Sequence, residues 1–243
     1  MSTTLHTVAA VTHFVQAVYT SVLSVTYDNE IVLPVKFKDE VLWEQKLSPY
    51  IAAFSLLSSV NHTLTLIQPN TYASFVEREC NPWRWAEYSI SATLMMITIS
   101  QLSAVYDIDK LTMIALLTPM LMYIGFLTEI YKDVSLAKTL FVIGCLILLT
   151  IWVSPMVSFI DAVQSNTRKP PDVVYVIVIG LFALFSCFGV VNYLHITNRS
   201  NAESRFYNFT YVEGLYVILS LISKTLLANL TLSGAIFRDQ DTV

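Results

Sequence analysis

Lys224 stands near the middle of an apolar stretch, Tyr211–Ser233, that is long enough to cross a lipid bilayer. At about 1.5 Å of helix per residue, roughly 14 Å separates this lysine from the nearer end of the stretch, too far for its ammonium to reach the lipid headgroups. A charge at that depth is costly and needs a partner or a purpose. Two interpretations follow: a structural ion pair with a buried acid, or an amine that condenses with an aldehyde to form a Schiff base.

Glu87 is the clearest acidic residue that could lie beside Lys224. It follows Arg84 by three residues and precedes Ser91 by four, so these three side chains share one helix face. The helices of Glu87 and Lys224 are expected to run in the same direction, so their polar groups can meet inside the protein. Glu87 is therefore predicted to be the counterion of a protonated Lys224 nitrogen. The alternative is a structural Arg84–Glu87 pair at the mouth of the helix.

Glu213 is the second acid with a bearing on Lys224. It precedes Lys224 by about three helical turns and so lies on the same helix face, nearer the N-terminal mouth. Arg84, Glu87 and Glu213 could line a polar half-path from the lysine to that mouth. Alternatively, Glu213 is an exposed acid in a first helical turn, where the helix dipole favours negative charge. Glu129, near the end of the fourth segment, is predicted to be a solvated helix terminus.

The composition is that of an integral membrane protein. The chain has 243 residues, of which 55% are hydrophobic and only 13% charged, about half the charged fraction of soluble domains. The net charge of −4 supplies no basic patch, which argues against nucleic acid as a partner. The cysteines at 80, 145 and 187 lack metal-ligand spacing, and no phosphate-binding loop or nucleophile arrangement indicates an enzyme.

Seven apolar segments, each near the roughly 20 residues that span a bilayer, predict an all-α seven-helix membrane bundle forming one domain over residues 1–243. The segments are Thr4–Thr26, Ser48–Gln68, Pro82–Val105, Leu111–Tyr131, Ala137–Phe159, Val173–Ile196 and Tyr211–Ser233. The connection Tyr27–Leu47 alternates apolar and basic residues before Asp39-Glu40, which fits either a short β-hairpin over the bundle mouth or an ordered loop. Lysine and arginine are split almost evenly between the two sides, so the charge rule leaves the orientation open.

The sequence resembles the heliorhodopsins, a divergent family of retinal-binding microbial-type rhodopsins, over all seven segments. The resemblance rests on Asn81-x-x-Arg84-Trp85-x-Glu87-Tyr88-Ser89-x-Ser91, on Ser220-Leu221-x-x-Lys224, on His13 with Gln16, and on His62. It implies that Lys224 carries all-trans retinal as a protonated Schiff base with Glu87 as counterion. It also implies hydrogen bonds from Ser91 and Ser220, and a polar cavity formed by His13, Gln16 and His62. A cytoplasmic N-terminus, a homodimer and, in some viral members, proton conduction are further implications of the family.

A retinal site should be apolar and aromatic. The candidates for its walls, chosen by their depth along the predicted helices, are Met95, Met120, Gly125, Trp152, Pro155, Phe185 and Phe188.

The function expected from these observations is that of a retinal photoreceptor in the plasma membrane, which signals to a partner. Ser220 occupies the place where pumping rhodopsins usually carry a second carboxylate, which argues against an ordinary proton pump. Two alternatives remain: a light-gated proton channel that uses the Glu87–Glu213 side, and a chromophore-free transporter or receptor in which Lys224–Glu87 is only a buried pair.

Overall fold

The computed structural model describes residues 3–26, 31–165 and 169–237, and seven long helices dominate it. These are α1 (Thr3–Thr26), α2 (Ser48–Ile67), α4 (Pro82–Leu102), α5 (Ile108–Ile130), α6 (Val134–Gln164), α7 (Asp172–Thr197) and α8 (Phe209–Phe237). Between them lie the strands β1 (Val32–Phe37) and β2 (Glu40–Lys46), the short helix α3 (Pro69–Glu77) and a 3-10 turn, Arg205–Tyr207. The predicted seven-helix bundle is confirmed.

The long helices form a closed ring. Each packs on the next along the chain, and α1 also packs on α8. Six of them are long and apolar enough to cross a membrane; α4, which carries Arg84 and Glu87, is not among those six. Because α4 contacts α2, α5, α6 and α7, its polar side chains point into the protein and not into lipid.

Helix ends follow local sequence signals. The Asn81 side chain accepts a hydrogen bond from the Arg84 backbone N–H at 3.2 Å and caps α4, which begins with Pro82. Asp133 caps α6 in the same way. Helix α6 begins before the predicted Ala137 and continues through Pro155 to Gln164. It is therefore longer than the fifth apolar segment indicated.

The hairpin alternative for the first connection is confirmed; residues 27–30 of that connection lie outside the described residues. β1 and β2 pair antiparallel with a bulge between Val35 and Lys36, and the chain turns at Lys38 (φ 53°) and Asp39, one residue earlier than expected. Val35 is buried against Val105 and Leu111. The hairpin therefore covers the end of the bundle where α4 ends, here called the C-terminal mouth.

Helix α3 was not predicted, because its nine residues are too few and too mixed to form an apolar segment. It lies at the opposite end, the N-terminal mouth, where α1, α4 and α8 begin. None of its residues is fully buried, and Phe75 packs edge-to-face on Trp83 at 5.0 Å between ring centroids. The hydroxyl of its Tyr72 donates a hydrogen bond to a buried acid inside the bundle, Glu213.

The two halves of the bundle differ in polarity. Toward the C-terminal mouth the interior holds an apolar cluster that includes Ile51, Phe54, Ile99, Ile151 and Ile177, together with buried but uncharged polar side chains such as Thr98 and Gln101. All five buried lysine, arginine and acidic side chains among the described residues lie elsewhere: Arg84, Glu87, Glu129, Glu213 and Lys224. Ionisable chemistry is thus confined to the middle of the bundle and its N-terminal half.

Candidate functional site

Lys224 and Glu87 form a buried ion pair between α8 and α4. The lysine Nζ donates a hydrogen bond of 2.7 Å to Glu87 Oε1, and the two side chains are only 3% and 5% exposed. The same carboxylate oxygen accepts a second hydrogen bond of 2.7 Å from Ser58 Oγ on α2. Hydrogen bonds between an ammonium and a carboxylate are stronger than neutral ones, so these contacts offset part of the cost of burying the two groups. The sequence motifs gave no indication of Ser58.

Tyr88 lies against this pair. Its ring centroid is 5.1 Å from Lys224 Nζ, close enough for a cation–π contact. Its hydroxyl donates to the backbone carbonyl of Tyr216 on α8 at 3.1 Å. Tyr88 therefore links α4 to α8 about two turns before the lysine. A structural change at Lys224 is expected to extend along α8 to this contact.

His13, Gln16 and His62 come together on one side of the pair, where α1 packs on α2. The rings of His13 and His62 are stacked, with centroids 6.0 Å apart and planes 7° apart. Gln16 Oε1 accepts a hydrogen bond of 3.2 Å from Ser55 Oγ. His13 is fully buried and lies within electrostatic reach of both Lys224 and Glu87. The expected polar cluster is therefore assembled from two helices.

His6 belongs to the same cluster and was missed. Its Nδ1 lies 3.0 Å from Nδ1 of His62. The signal was available in the sequence, because His6 precedes His13 by seven residues, or two helical turns, and so lies on the same face of α1.

A second ion cluster lies nearer the N-terminal mouth and is centred on Arg84. Its guanidinium contacts the carboxylates of Glu129 on α5 and Glu213 on α8. The guanidinium carbon also lies 4.3 Å from the centroid of the Tyr216 ring. The alternative Arg84–Glu87 pair is therefore not formed, because Arg84 points toward α5 and α8 while Glu87 meets Lys224.

The prediction that Glu129 is a solvated terminus is wrong. Glu129 is 2% exposed, and its Oε2 accepts hydrogen bonds from the Trp85 indole at 2.8 Å and the Asn81 backbone N–H at 3.2 Å. A buried guanidinium bearing one charge meets two carboxylates here, so Glu129 is held by hydrogen bonds as well as by charge. Helix periodicity could not reveal this, because the contact joins two different helices.

Glu213 is likewise buried, at 1% exposure, so the exposed-acid alternative is excluded. Its Oε2 accepts hydrogen bonds from Asn81 Nδ2 at 2.8 Å and from the Tyr72 hydroxyl of α3 at 3.4 Å. Asn81 thus joins both acids of the Arg84 cluster and caps α4 at the same time. The cluster closes the N-terminal mouth with charged groups, and its hydrogen bonds join α3, α4, α5 and α8.

Lys224 opens into a largely apolar cavity enclosed by α4, α5, α6, α7 and α8. The predicted residues that line it are Ser91, Met95, Gly125, Phe185, Phe188 and Ser220, and Tyr88 also contributes. Gly125 is required by a close approach, because a Cβ atom there would lie 2.4 Å from the Trp85 ring. Gly144 and Gly189 also line the cavity; Gly144 faces Leu121 and Ile124 of α5, and Gly189 faces Phe141 of α6.

Three predicted wall residues lie outside the lining. Met120 is 54% exposed on the outer face of α5, because its neighbour Leu121, a further 100° around the helix, faces the cavity instead. Trp152 is buried behind the wall and packs edge-to-face on Phe182 and Phe185. Pro155 is buried one turn further along α6. Depth alone selected these positions, and rotation about the helix axis placed them elsewhere.

The residues of the cavity fit retinal, a rigid apolar polyene that ends in an aldehyde. An amine stands at the cavity wall, a carboxylate is paired with it, and apolar and aromatic side chains supply most of the remaining surface. The hydroxyl of Ser91 is buried and has no hydrogen-bond partner among the described residues, which leaves it free to contact a bound group. These features match the chemistry of a Schiff-base chromophore site.

The fold is shared with solved rhodopsins. The transmembrane domain of the rhodopsin phosphodiesterase of Salpingoeca rosetta is 15% identical, with a TM-score of 0.72 over 96% of this chain and 84% of that one. The proton-pumping rhodopsin AR2 of the marine alga Acetabularia acetabulum is 12% identical, with a TM-score of 0.69 over 97% and 96%. A cyanorhodopsin of the cyanobacterium Calothrix is 10% identical, with a TM-score of 0.67 over 95% and 93%. No curated protein sequence matches the chain.

A seven-helix ring around a buried lysine–carboxylate pair and an apolar cavity defines a multi-pass membrane protein with the rhodopsin fold. The sequence profile of one rhodopsin family, Heliorhodopsin, matches residues 1–236. The chain belongs to the heliorhodopsin family.

Proposed function

We propose that this protein is a photoreceptor, and not an enzyme, in which Lys224 Nζ carries all-trans retinal as a protonated Schiff base with Glu87 as its counterion. The carrying observation is the position of Lys224, which is the one buried lysine among the described residues and lies at the cavity wall beside a carboxylate. Retinal held at Lys224 would supply a polyene that absorbs visible light and can isomerise.

Glu87 holds the proton on Lys224 Nζ in the dark. Its Oε1 accepts from both Lys224 and Ser58, so rotation of the nitrogen away from it removes one of two hydrogen bonds and leaves the other intact. Ser91 and Ser220, whose hydroxyls lie at the cavity wall, are positioned to take up hydrogen bonds on that side. His13 and His62 supply basic nitrogens nearby for a proton that leaves.

The output is a conformational signal carried by α8. Tyr88 ties α4 to α8 through the Tyr216 carbonyl, and Arg84 ties both helices to α5. The apolar half near the C-terminal mouth lacks buried charges among the described residues and is expected to stay rigid. We propose that the N-terminal mouth is the moving end, that it faces the cytoplasm from the plasma membrane, and that a homodimer presents it to a signalling partner.

The spectral effect of Glu87→Gln tests this assignment. A carboxylate about 4 Å from a positive charge contributes on the order of 4 kcal/mol at an effective dielectric constant near 20, and about 1.4 kcal/mol is a factor of ten in an equilibrium. In the variant at neutral pH, the ratio of visible to near-ultraviolet absorbance is therefore expected to fall at least about tenfold. The visible band should return in acid. Glu79→Gln, which alters a partly exposed acid outside the cavity, is the control. An unchanged spectrum in Glu87→Gln would remove Glu87 as the counterion.

Light-gated proton conduction is the second candidate. It is favoured by Glu213, which is buried, lies on the helix of Lys224 and is hydrogen-bonded toward the N-terminal mouth through Tyr72. The half of the bundle toward the C-terminal mouth weighs against it, because a conducted proton must also cross that half, where no charged side chain is buried among the described residues. This contrast makes the photoreceptor the first candidate.

Light-evoked current separates the two candidates. In cells that express the protein with added retinal under an imposed pH gradient, conduction predicts a current that reverses with the gradient. Such a current is expected to fall at least about tenfold in Glu213→Gln, which removes a proton-transfer group, and to persist in the exposed-loop variant Glu203→Gln. A coloured but electrically silent protein would reject conduction and leave the photoreceptor.

A further inference from the structure

Two histidines share a hydrogen bond at the N-terminal side of the cavity. His6 on α1 and His62 on α2 approach through their Nδ1 atoms, 3.0 Å apart, and both side chains are buried. His6 is faced by His62 from α2 and by Tyr72 from α3, whose ring lies edge-to-face at 5.3 Å between centroids. These contacts lie outside the Lys224–Glu87 pair and outside the Arg84 cluster.

The geometry dictates the protonation of the two rings. A hydrogen bond between two Nδ1 atoms needs one donor and one acceptor. In a neutral pair, the donor ring carries its proton on Nδ1 and has a bare Nε2. The acceptor ring has a bare Nδ1 and therefore carries its proton on Nε2. The pair must hold opposite tautomers, with one proton between the rings.

One side of this pair connects to the lysine. His62 is stacked on His13, which lies within electrostatic reach of Lys224 and Glu87. Both nitrogens of His13 are buried and have no hydrogen-bond partner among the described residues. Both ring nitrogens of His13 are therefore available to a hydrogen-bonding group that comes between the histidine pair and the Lys224–Glu87 pair.

The other side connects to Glu213. The Tyr72 hydroxyl, beyond His6, donates to Glu213 Oε2 at 3.4 Å. Burial raises the pKa of Tyr72 to about 12, so the hydroxyl keeps its proton at neutral pH and can pass one on only by receiving another. Tyr72 therefore contacts His6 through its ring and Glu213 through its hydroxyl, while His6 Nε2 is buried without a hydrogen-bond partner among the described residues and has a proton to give.

We propose that His6, His62 and Tyr72 form a reversible proton relay between the Lys224–Glu87 site and Glu213. A proton forms a bond at His62 Nε2, the shared proton crosses from His62 Nδ1 to His6 Nδ1, and the proton on His6 Nε2 leaves toward Tyr72 and Glu213. One proton enters and one leaves, and the two rings end neutral with exchanged tautomers. The exchanged pair resets when a proton returns along the same route. The relay therefore suits a proton that leaves the Lys224 site and later returns to it. Such a reversible transfer is what the proposed photoreceptor, on which this inference rests, requires.

Histidine tautomers in the dark test the pair directly. The chain has four histidines, so ¹⁵N-histidine magnetic resonance of the full-length protein can be assigned with single substitutions. The expected result is His62 protonated on Nδ1, His6 protonated on Nε2, and a correlation between the two Nδ1 atoms across their hydrogen bond. Equal tautomers with no such correlation would overturn the relay. The retinal-free protein gives the same readout, so this result does not depend on the pigment.

Flash photolysis tests the transfer. In His6→Phe and Tyr72→Phe the pigment is still expected to form, because neither residue lines the cavity. The near-ultraviolet state after a flash is expected to decay at least about tenfold faster, since the proton stays near Lys224 when a transfer group is lost. The infrared band that Glu213→Gln removes should also vanish in both variants. His195→Gln is the matched control, because His195 is buried at the same mouth but bonds to the Phe206 carbonyl.

The outcomes separate the relay from the photoreceptor. Wild-type decay and an intact infrared band in His6→Phe and Tyr72→Phe, with pigment present, would overturn the relay alone. A wild-type protein that stays colourless with retinal would overturn the photoreceptor, and the tautomer measurement would still decide whether the histidine pair exists.

Discussion

Cells that express Lys224→Ala and are supplied with retinal are expected to remain colourless, while cells expressing the unaltered protein become pigmented. The reason is that Lys224 is the one buried lysine among the described residues and the one that lines the cavity. Without its Nζ, no covalent bond to the aldehyde can form, and at least about 99% of the visible absorbance should be lost, as befits removal of the nucleophile. Absorbance spectra of membranes at equal protein content check this.

Two comparisons guard this result against loss of the fold. Lys132→Ala, at an exposed lysine paired with Glu79, is expected to keep full colour. Lys224→Ala supplied with the preformed Schiff base of retinal and a short alkylamine is expected to regain a visible band, because the cavity and Glu87 remain. A visible pigment in Lys224→Ala with retinal alone would contradict the assignment of the attachment site.

Arg84→Met is expected to lower the thermal stability of the pigment strongly. The substitution leaves the carboxylates of Glu129 and Glu213 buried without their cation, and breaking a buried pair in this way costs about 3–5 kcal/mol. The midpoint of thermal bleaching in the dark, measured in one detergent at one pH, should fall accordingly. Most of the loss of stability is expected to come from burying two carboxylates without a cation, and less of it from the lost attraction between the charges.

Two further variants test whether the uncompensated carboxylates cause the loss of stability. Arg84→Met combined with Glu129→Gln and Glu213→Gln should recover much of the loss, because no uncompensated charge stays buried. Lys132→Met breaks the exposed pair with Glu79 and should cost at most about 1 kcal/mol. If Arg84→Met bleached at the same temperature as Lys132→Met, the Arg84 cluster would have no structural role.

Much of the fold could be predicted because its determinants are local. Bilayer-length apolar runs predict helices, and each of the seven long helices overlaps one predicted segment. The alternating residues of the first connection indicated a hairpin, although the loop alternative had to be resolved by its packing on Val105 and Leu111. Helix α3 escaped detection because an amphipathic helix of nine residues at a membrane surface carries no strong apolar signal.

The site could be predicted in part. The meeting of His13 with His62 was implied by the family resemblance, and His6 could have been found by its two-turn spacing from His13. The hydroxyl of Ser58 carried no local signal, since serines are common in α2 and only contact with Glu87 distinguishes this one. On α5, Met120 and Leu121 are equally apolar in the sequence, and only the rotation of the helix turns Leu121 inward.

By itself the sequence determined that Lys224 lies at membrane depth and that Glu87 is an acid within its reach, because hydrophobicity and helical periodicity are properties of one segment. The pairing of Glu87 with Lys224 was already predicted from the sequence, and the structure forms it. Only the tertiary structure paired Arg84 with both Glu129 and Glu213, since pairing depends on the rotation and relative depth of separate helices. Those are fixed by the packing of the whole ring, where each buried charge must find a partner or pay the cost of desolvation.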